Sequence, residues 1–402
     1  MPCVPTVTFF KTIVMALLLL PFVFRSLAAV EPDEHSITRD YGFLLMEGNI
    51  GKDRKAQAHI WFSPGIGDEV LLWGILHDSQ QPEPTRIQGT INRTSEEQRL
   101  QQTMPMDEGD EVIGSLEVTW QQSYGSEPVT ISGFLISENG TIKLPIKLME
   151  VSAPDSVPLD FHCFAESYRR QRGHEFFERS QCVVFPQLRS DKESHRRINA
   201  IIRHWVQKSL IESSKDPDIS SPAPSMQEIE RAVQASLPKR KSLELMEINR
   251  IETVTHRNTF EVLLNESGLL CLRLAYNEDL GGAHDMFWAR HLIFDLLSGR
   301  ELKIGDELKS GWYGEVKALA ESSVRRQFGL KPGNPLTSPG PLSAENFELN
   351  ENWFISAEGL GFYFDPYEIA SFASGAIIPL IPLKKLKPMI RTGSPLEALT
   401  QP

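Results

Sequence analysis

Apolar positions recur every second residue through the first third of the chain. Ile142, Leu144, Ile146 and Leu148 alternate with polar neighbours, and residues 58–62, 70–76, 85–91, 111–120, 129–135 and 141–149 are apolar-rich or alternating. This is the signature of half-buried strands. Gly, Pro, Asn and Asp fill the gaps, and Asn139-Gly140 is a favoured hairpin turn. The polar stretch 94–110 predicts a long loop. Residues 38–152 therefore read as an antiparallel β-meander domain, which ends at the proline-bearing segment 153–158.

The period then changes. Ile198, Ile201, Ile202 and Trp205 stand at helical spacing. Ser225 and Glu228 form a capping box ahead of Met226, Ile229 and Val233. Phe260, Val262 and Leu264 alternate, residues 265–268 turn, and Leu270, Leu272 and Leu274 alternate again, which predicts a hairpin. A third helix is expected over 312–328 with Val316, Leu319, Ala320 and Val324 inward. Residues 331–342 read as a loop, and strands follow at 352–356, 362–364 and 377–382. A short helix is expected at 384–390 and a frayed tail over 391–402. The fold class expected is α+β: a β-meander domain, then helices packed on a sheet over 160–390.

The amino terminus adds a compartment. Lys11 precedes a run of about 12 apolar residues, and Ser26, Ala28 and Ala29 follow it. The run is short against the roughly 20 residues that span a bilayer, so residues 1–29 read as a cleaved signal peptide with no membrane anchor left behind. Export to the periplasm or beyond is the expectation. The net charge of the 402-residue chain is −12, and loss of Lys11 and Arg25 makes it about −14. Such an acidic surface argues against nucleic acid as a partner and suits a cationic one. In an oxidising compartment Cys163 and Cys182 are free to form a disulfide, which leaves Cys271 as a small buried hydrophobe.

Four features are candidates for chemistry. Gly281-Gly282-Ala283-His284 places His284 beside Asp285 at a tight turn, and it reads first as a connection. Asp365, Tyr367 and Glu368 form a carboxylate–phenol–carboxylate cluster. It reads first as a capped helical turn with Pro366 at its first position and Tyr367 in the core. His291 and Asp295 are a weaker pair, because residues 291–295 read as a strand. Arg169, Arg170 and Arg172 form a basic segment between the two cysteines, which reads as a solvated loop or helix face or as a grip for an anionic glycan or a partner. No nucleophile elbow, zinc-helix, Cys-x-x-Cys or phosphate-loop pattern is present, so no catalytic residue, metal or cofactor is assigned.

The order of several short segments carries a resemblance. These are Val184-Phe-Pro-Gln-Leu188, Ile198-Asn199, Gly281 to His284, Phe294-Asp-Leu-Leu-Ser-Gly299 and Gly361-Phe-Tyr-Phe-Asp-Pro-Tyr-Glu-Ile-Ala370. Together they resemble the extracytoplasmic domain shared by the RsiV anti-sigma factor, a lysozyme receptor, and PdaC-type peptidoglycan deacetylases, where the domain is an accessory. Neither a sigma-binding segment nor a deacetylase metal set accompanies it. The resemblance implies an envelope binding module whose partner is a lysozyme-type hydrolase or peptidoglycan. The alternative is a cell-wall-modifying enzyme.

Overall fold

The computed structural model describes residues 42–64, 69–81, 84–92, 98–106, 109–121, 128–153, 155–172, 175–211, 217–236, 252–280, 285–331, 333–337, 340–343 and 346–400. The expected meander is present, and it closes on itself. Strands β1 (Gly42–Ile50), β2 (Arg54–Pro64), β3 (Glu69–Asp78), β4 (Thr85–Asn92), β5 (Gln98–Met106), β6 (Gly109–Gln121), β7 (Thr130–Ser137) and β8 (Lys143–Glu150) form an eight-stranded antiparallel barrel. Closure runs from Met46 opposite Glu150 to Ile50 opposite Ile146, and it removes the open edges a flat meander would leave. Alternate residues point inward: Met46, Ala58, Ile60, Leu76, Leu116, Ile131 and Leu148 are buried together. Strand β5 lies inside the stretch expected to be loop. Backbone pairing with β6 holds it along its whole length, so its polar sequence gives no alternation to read.

Several outward positions of β1 to β3 are buried as well. Leu45, His59, Trp61 and Ile75 alternate with the interior residues yet are shielded from solvent, because the second half of the chain covers this side of the barrel. Trp61 meets Phe161 edge-on at 5.5 Å, and the Arg273 guanidinium lies over the Trp73 ring at 5.8 Å. Arg86 Nε on β4 donates to Glu358 Oε1 at 3.1 Å.

The second half is built on a six-stranded sheet of β9 (Leu159–Arg172), β10 (Glu175–Leu188), β11 (Glu252–Glu266), β12 (Leu269–Asp279), β13 (Met286–Asp295) and β14 (Arg300–Glu301). Its order is β14-β13-β12-β11-β10-β9. β10 and β11 run parallel, and a parallel pair needs a crossover connection. That connection carries α1 (Glu193–Ile211) and α2 (Met226–Ser236). Their apolar residues Ile198, Ile202, Trp205, Ile229 and Val233 pack against Phe260, Leu272 and Leu274 on one sheet face. The capping box forms: Glu228 Oε2 accepts the Ser225 N–H at 2.7 Å, and Ser225 Oγ accepts the Glu228 N–H at 3.3 Å. At the β11–β12 hairpin Ser267 and Gly268 both have positive φ, at 53° and 75°, as a two-residue type I′ turn requires.

The opposite face is covered by a three-stranded sheet of β15 (Trp353–Ser356), β16 (Gly359–Phe362) and β17 (Leu380–Ile381), with α3 (Trp312–Gln327) behind it. The expected frayed tail is packed. Residues Pro395–Thr400 form a 3₁₀ helix with Leu396 buried. Ser394 Oγ donates at 2.7 Å to the fully buried Glu307, whose other oxygen accepts from Arg300. A tail without a long apolar run hides these anchors, which also include the Arg391 N–H donating to Glu307 O at 2.9 Å and Lys387 Nζ donating to Thr400 O at 2.9 Å.

Two further expectations are corrected. Residues 168–172 and 175–179 of the basic segment are neither loop nor helix, since they pair as the far ends of β9 and β10. Cys163 and Cys182 carry no disulfide. Cys163 stands across from Val184 and Cys182 across from Ala165, so the two meet diagonally instead of as the directly opposed pair that a disulfide fits with least movement.

Candidate functional site

The segment Asn350–Phe372 meets polar residues of the large sheet on the face that the small sheet covers. Residues Glu261, Arg273 and His291 are directly opposite one another on β11, β12 and β13, which makes a row across the face that carries the small sheet. The Arg273 guanidinium pairs with Glu261, with Nε donating to Oε2 at 2.6 Å. His291 continues the row. Its backbone N–H donates to Asn352 Oδ1 at 3.1 Å, and Nδ1 lies 2.9 Å from the same oxygen. The Asn352 amide donates to Ala289 O at 2.8 Å, which fixes the amide's orientation and makes Nδ1 of His291 the protonated nitrogen. The ring is packed against Phe354 at 4.7 Å and Tyr363 at 5.3 Å. Burial pushes the His291 pKa down to about 3, reinforced by Arg273 and Arg290 and only partly offset by the Asn352 bond. His291 is therefore a neutral structural donor at neutral pH. Asp295, the other member of the weak pair, is turned to the next bend, where it accepts the Leu297 N–H at 3.0 Å.

Asp365 follows one residue after the Phe364–Ile377 bridge. Its Oδ1 accepts the Ala289 N–H at 2.9 Å, so the carboxylate ties the loop to β13. Burial raises its pKa to about 6, with Glu368 adding in the same direction and the Ala289 N–H and Arg290 opposing. Glu368 has both oxygens engaged: Oε2 accepts the Asp365 N–H at 2.9 Å and Oε1 accepts from Asn350 Nδ2 at 2.9 Å. The two carboxyls bond backbone and amide groups, which is how turns are held.

The expected helical turn is a β-turn. Glu368 N–H donates to Asp365 O at 3.0 Å, proline occupies the second position, and Tyr367 at the third has φ 71°. This is the type II pattern, whose third position favours glycine. Nor is Tyr367 a core aromatic, for it is 58% exposed. Its ring lies 5.4 Å from Phe372, which lies 5.7 Å from Phe287 on β13. The three rings form a row at the surface beside Asp365 and Glu368. Leu280, at the end of the preceding strand, is 53% exposed.

The structure thus gathers Asp365, Tyr367 and Glu368, and adds Asn350, Asn352, His291, Phe287 and Phe372, none of which the sequence reading assigned to them. His284 lies outside the described residues. Arg169, Arg170 and Arg172 are on β9, four strand spacings from β13, or roughly 19 Å at ~4.8 Å per spacing. They belong to a different part of the sheet. Among the described residues, no group of three His, Cys, Asp or Glu side chains is placed to hold a metal ion, and no helix is long and apolar enough to cross a membrane.

Comparison with known proteins finds one family model and a few solved structures. Residues 308–384, which include the Asp365–Ala370 turn, match a family model described as a protein of unknown function, DUF3298. Among solved structures, a DUF3298 family member from Bacteroides fragilis is similar at a TM-score of 0.48 and 17% identity, covering 61% of this chain and 100% of that one. A DUF3298 family protein from Pseudomonas aeruginosa is similar at a TM-score of 0.41 and 15% identity, covering 60% of this chain and 96% of that one. No curated protein matches the chain.

Proposed function

We propose that this chain is an exported, non-catalytic binding module of the bacterial envelope, and that it takes glycan strands of the peptidoglycan type on the ring row Phe287–Phe372–Tyr367. The observation that carries this reading is Tyr367, a bulky residue held at positive φ with its ring in solvent. Backbone strain retained at an exposed side chain that no core uses marks a binding position. Flat rings suit the apolar faces of sugars, while neighbouring carboxyls accept hydroxyl and amide hydrogens. The signal-like amino terminus and the resemblance to an envelope domain support the compartment and the ligand class.

The test is co-sedimentation with purified peptidoglycan sacculi, with calorimetry against N-acetylglucosamine oligomers. Tyr367→Ala is expected to weaken binding about tenfold, the scale of losing one aromatic contact, and an outer-barrel change such as Phe134→Ala to leave it unchanged. Absence of sedimentation overturns the glycan reading. Binding to lysozyme alone at low salt replaces it with a protein-receptor reading, and turnover of muropeptides replaces it with the enzyme alternative.

A further inference from the structure

Cys163 and Cys182 lie on neighbouring antiparallel strands two positions out of direct register, since Cys163 faces Val184 and Cys182 faces Ala165. Residues two apart on a strand share a face, so both thiols project to the same side of the sheet. A hydrogen bond joins them, and Arg257 stands directly across from Cys182 on β11. Cys182 is buried and Cys163 half-buried, so a reagent in solvent reaches Cys163 first. The bond with Cys163 is the main influence lowering the Cys182 pKa, the Arg257 charge helps, and burial opposes. Cys271, by contrast, is fully buried on β12, and burial pushes its thiol up to about 12.

We propose that Cys163 and Cys182 are a reversible thiol–disulfide couple, oxidised by a small or protein disulfide and reduced by the corresponding thiol. In the first step the Cys163 thiolate attacks one sulfur of the oxidant, the oxidant's S–S bond breaks, and one thiolate leaves. In the second the Cys182 thiolate attacks Cys163 Sγ in the mixed disulfide and the other thiolate leaves. Two protein thiols are oxidised, one disulfide is reduced to two thiols, and the two protons pass from the cysteines to the departing thiolates. The Cys163 hydrogen bond and, to a smaller degree, the Arg257 charge favour the thiolate form of Cys182, and thiolate character governs how readily a cysteine exchanges. A diagonal pair sits farther apart than a relaxed disulfide requires. The oxidised form therefore draws β9 and β10 together locally, and a strained bond of this kind is one that thiols reopen. This inference is independent of the glycan reading.

The experiment equilibrates the full folded chain in glutathione buffers of graded ratio, quenches with acid, alkylates and digests with trypsin. Arg169, Arg170, Arg172 and Arg179 separate the cysteines in sequence, so a Cys163–Cys182 peptide pair stays together only through a disulfide. The expected result is that this linked pair appears in oxidising buffer and disappears when the same sample is returned to reducing buffer, while Cys271 is alkylated only after unfolding. Cys182→Ser is expected to accumulate a glutathione adduct on Cys163. Thiols that remain fully alkylatable in oxidised glutathione, or a wild-type glutathione adduct that never resolves, overturn the proposal. So does a link that reopens only after denaturation. The wild-type titration decides the matter even where the variant fails to fold.

Discussion

Two bends of the second half place the same demand on the backbone and meet it with different residues. In the first, after β13, Asp295 accepts the Leu297 and Ser298 N–H groups and the Ser298 hydroxyl, and Gly299 sits at φ 70°. In the second, after β16, Asp365 and Glu368 close the bend and Tyr367 sits at φ 71°. At Gly299 the glycine has a second reason besides its dihedral. A Cβ there would stand 2.5 Å from Ser194 O at the start of α1, and Ser194 Oγ already donates to Leu296 O at 3.0 Å. The first bend is a packing device. At Tyr367 no close neighbour forbids a side chain, glycine would suit the turn better, and a tyrosine is kept with its ring exposed. A non-glycine residue in the left-handed region costs about 1–2 kcal/mol. That cost falls at a position with no core role, which is what the proposed binding role accounts for and the first bend does not share.

The largest expected effect tests whether the polar network under the second bend is as buried as its contacts imply. His59 at the barrel junction and His291 both have pKa values lowered to about 3, chiefly by burial. A histidine depressed in the folded state binds its proton in the unfolded chain first, so stability falls as pH drops below about 6.5. Asp365 acts with the opposite sign. Its folded pKa of about 6 exceeds the unfolded 3.8, so the folded state takes up a proton first and stability rises as pH falls from about 6 towards 4. Each fully engaged group gives a slope of about 1.4 kcal/mol per pH unit. Two histidines against one aspartate leave a net loss on the order of 4 kcal/mol between pH 6.5 and 4. Asp365→Asn keeps an acceptor for Ala289 and removes the opposing slope, so urea titrations across this range should show a steeper acid loss than wild type. An unchanged slope would place Asp365 in solvent and undo the network.

A smaller effect follows from the first bend. Gly299→Ala adds a methyl group against the Ser194 backbone at a dihedral alanine disfavours. The expected loss is about 3 kcal/mol or more, read as a fall in the urea midpoint with an unchanged slope. A loss below about 1 kcal/mol would show that α1 yields to the bend, and the contrast with Tyr367 would no longer rest on packing.

Much of this architecture was legible because local chemistry and global fold agree. The capping box of α2, the β11–β12 hairpin and α3 follow from spacings of three, four and two residues, and their inward positions are buried, except Met226 and Leu319, which are half-buried against the core. Barrel closure was not legible, because nothing in the β1 or β8 pattern names the partner strand. β5 was not legible either, since its pairing is made by backbone groups that every residue carries. At the site, the sequence singled out Asp365, Tyr367 and Glu368 but took Tyr367 for core. Proline at the second turn position fits helix start and type II turn alike, and only the dihedral decides between them. His291, Asn350 and Asn352 fit no motif or spacing rule, and their convergence is visible only once the small sheet that begins at β15 packs on the face that carries β13.

The smallest effect is also the one that isolates the second bend most cleanly. Tyr367→Gly relieves the strained dihedral and adds backbone freedom to the unfolded chain, two effects of about 1 kcal/mol each with opposite sign. Stability is therefore expected to stay within about 1 kcal/mol of wild type, with any change favouring the variant. The same substitution removes the outermost ring of the row, so affinity for glycan oligomers should fall as far as it does in Tyr367→Ala. Stability retained while binding is lost is the pattern of a side chain kept for a ligand. If Tyr367→Gly instead unfolds the domain with the cooperativity of Gly299→Ala, then its ring supports Phe372 and β13 from outside. The two bends would then be packing devices of the same kind, and the ring row would carry no ligand.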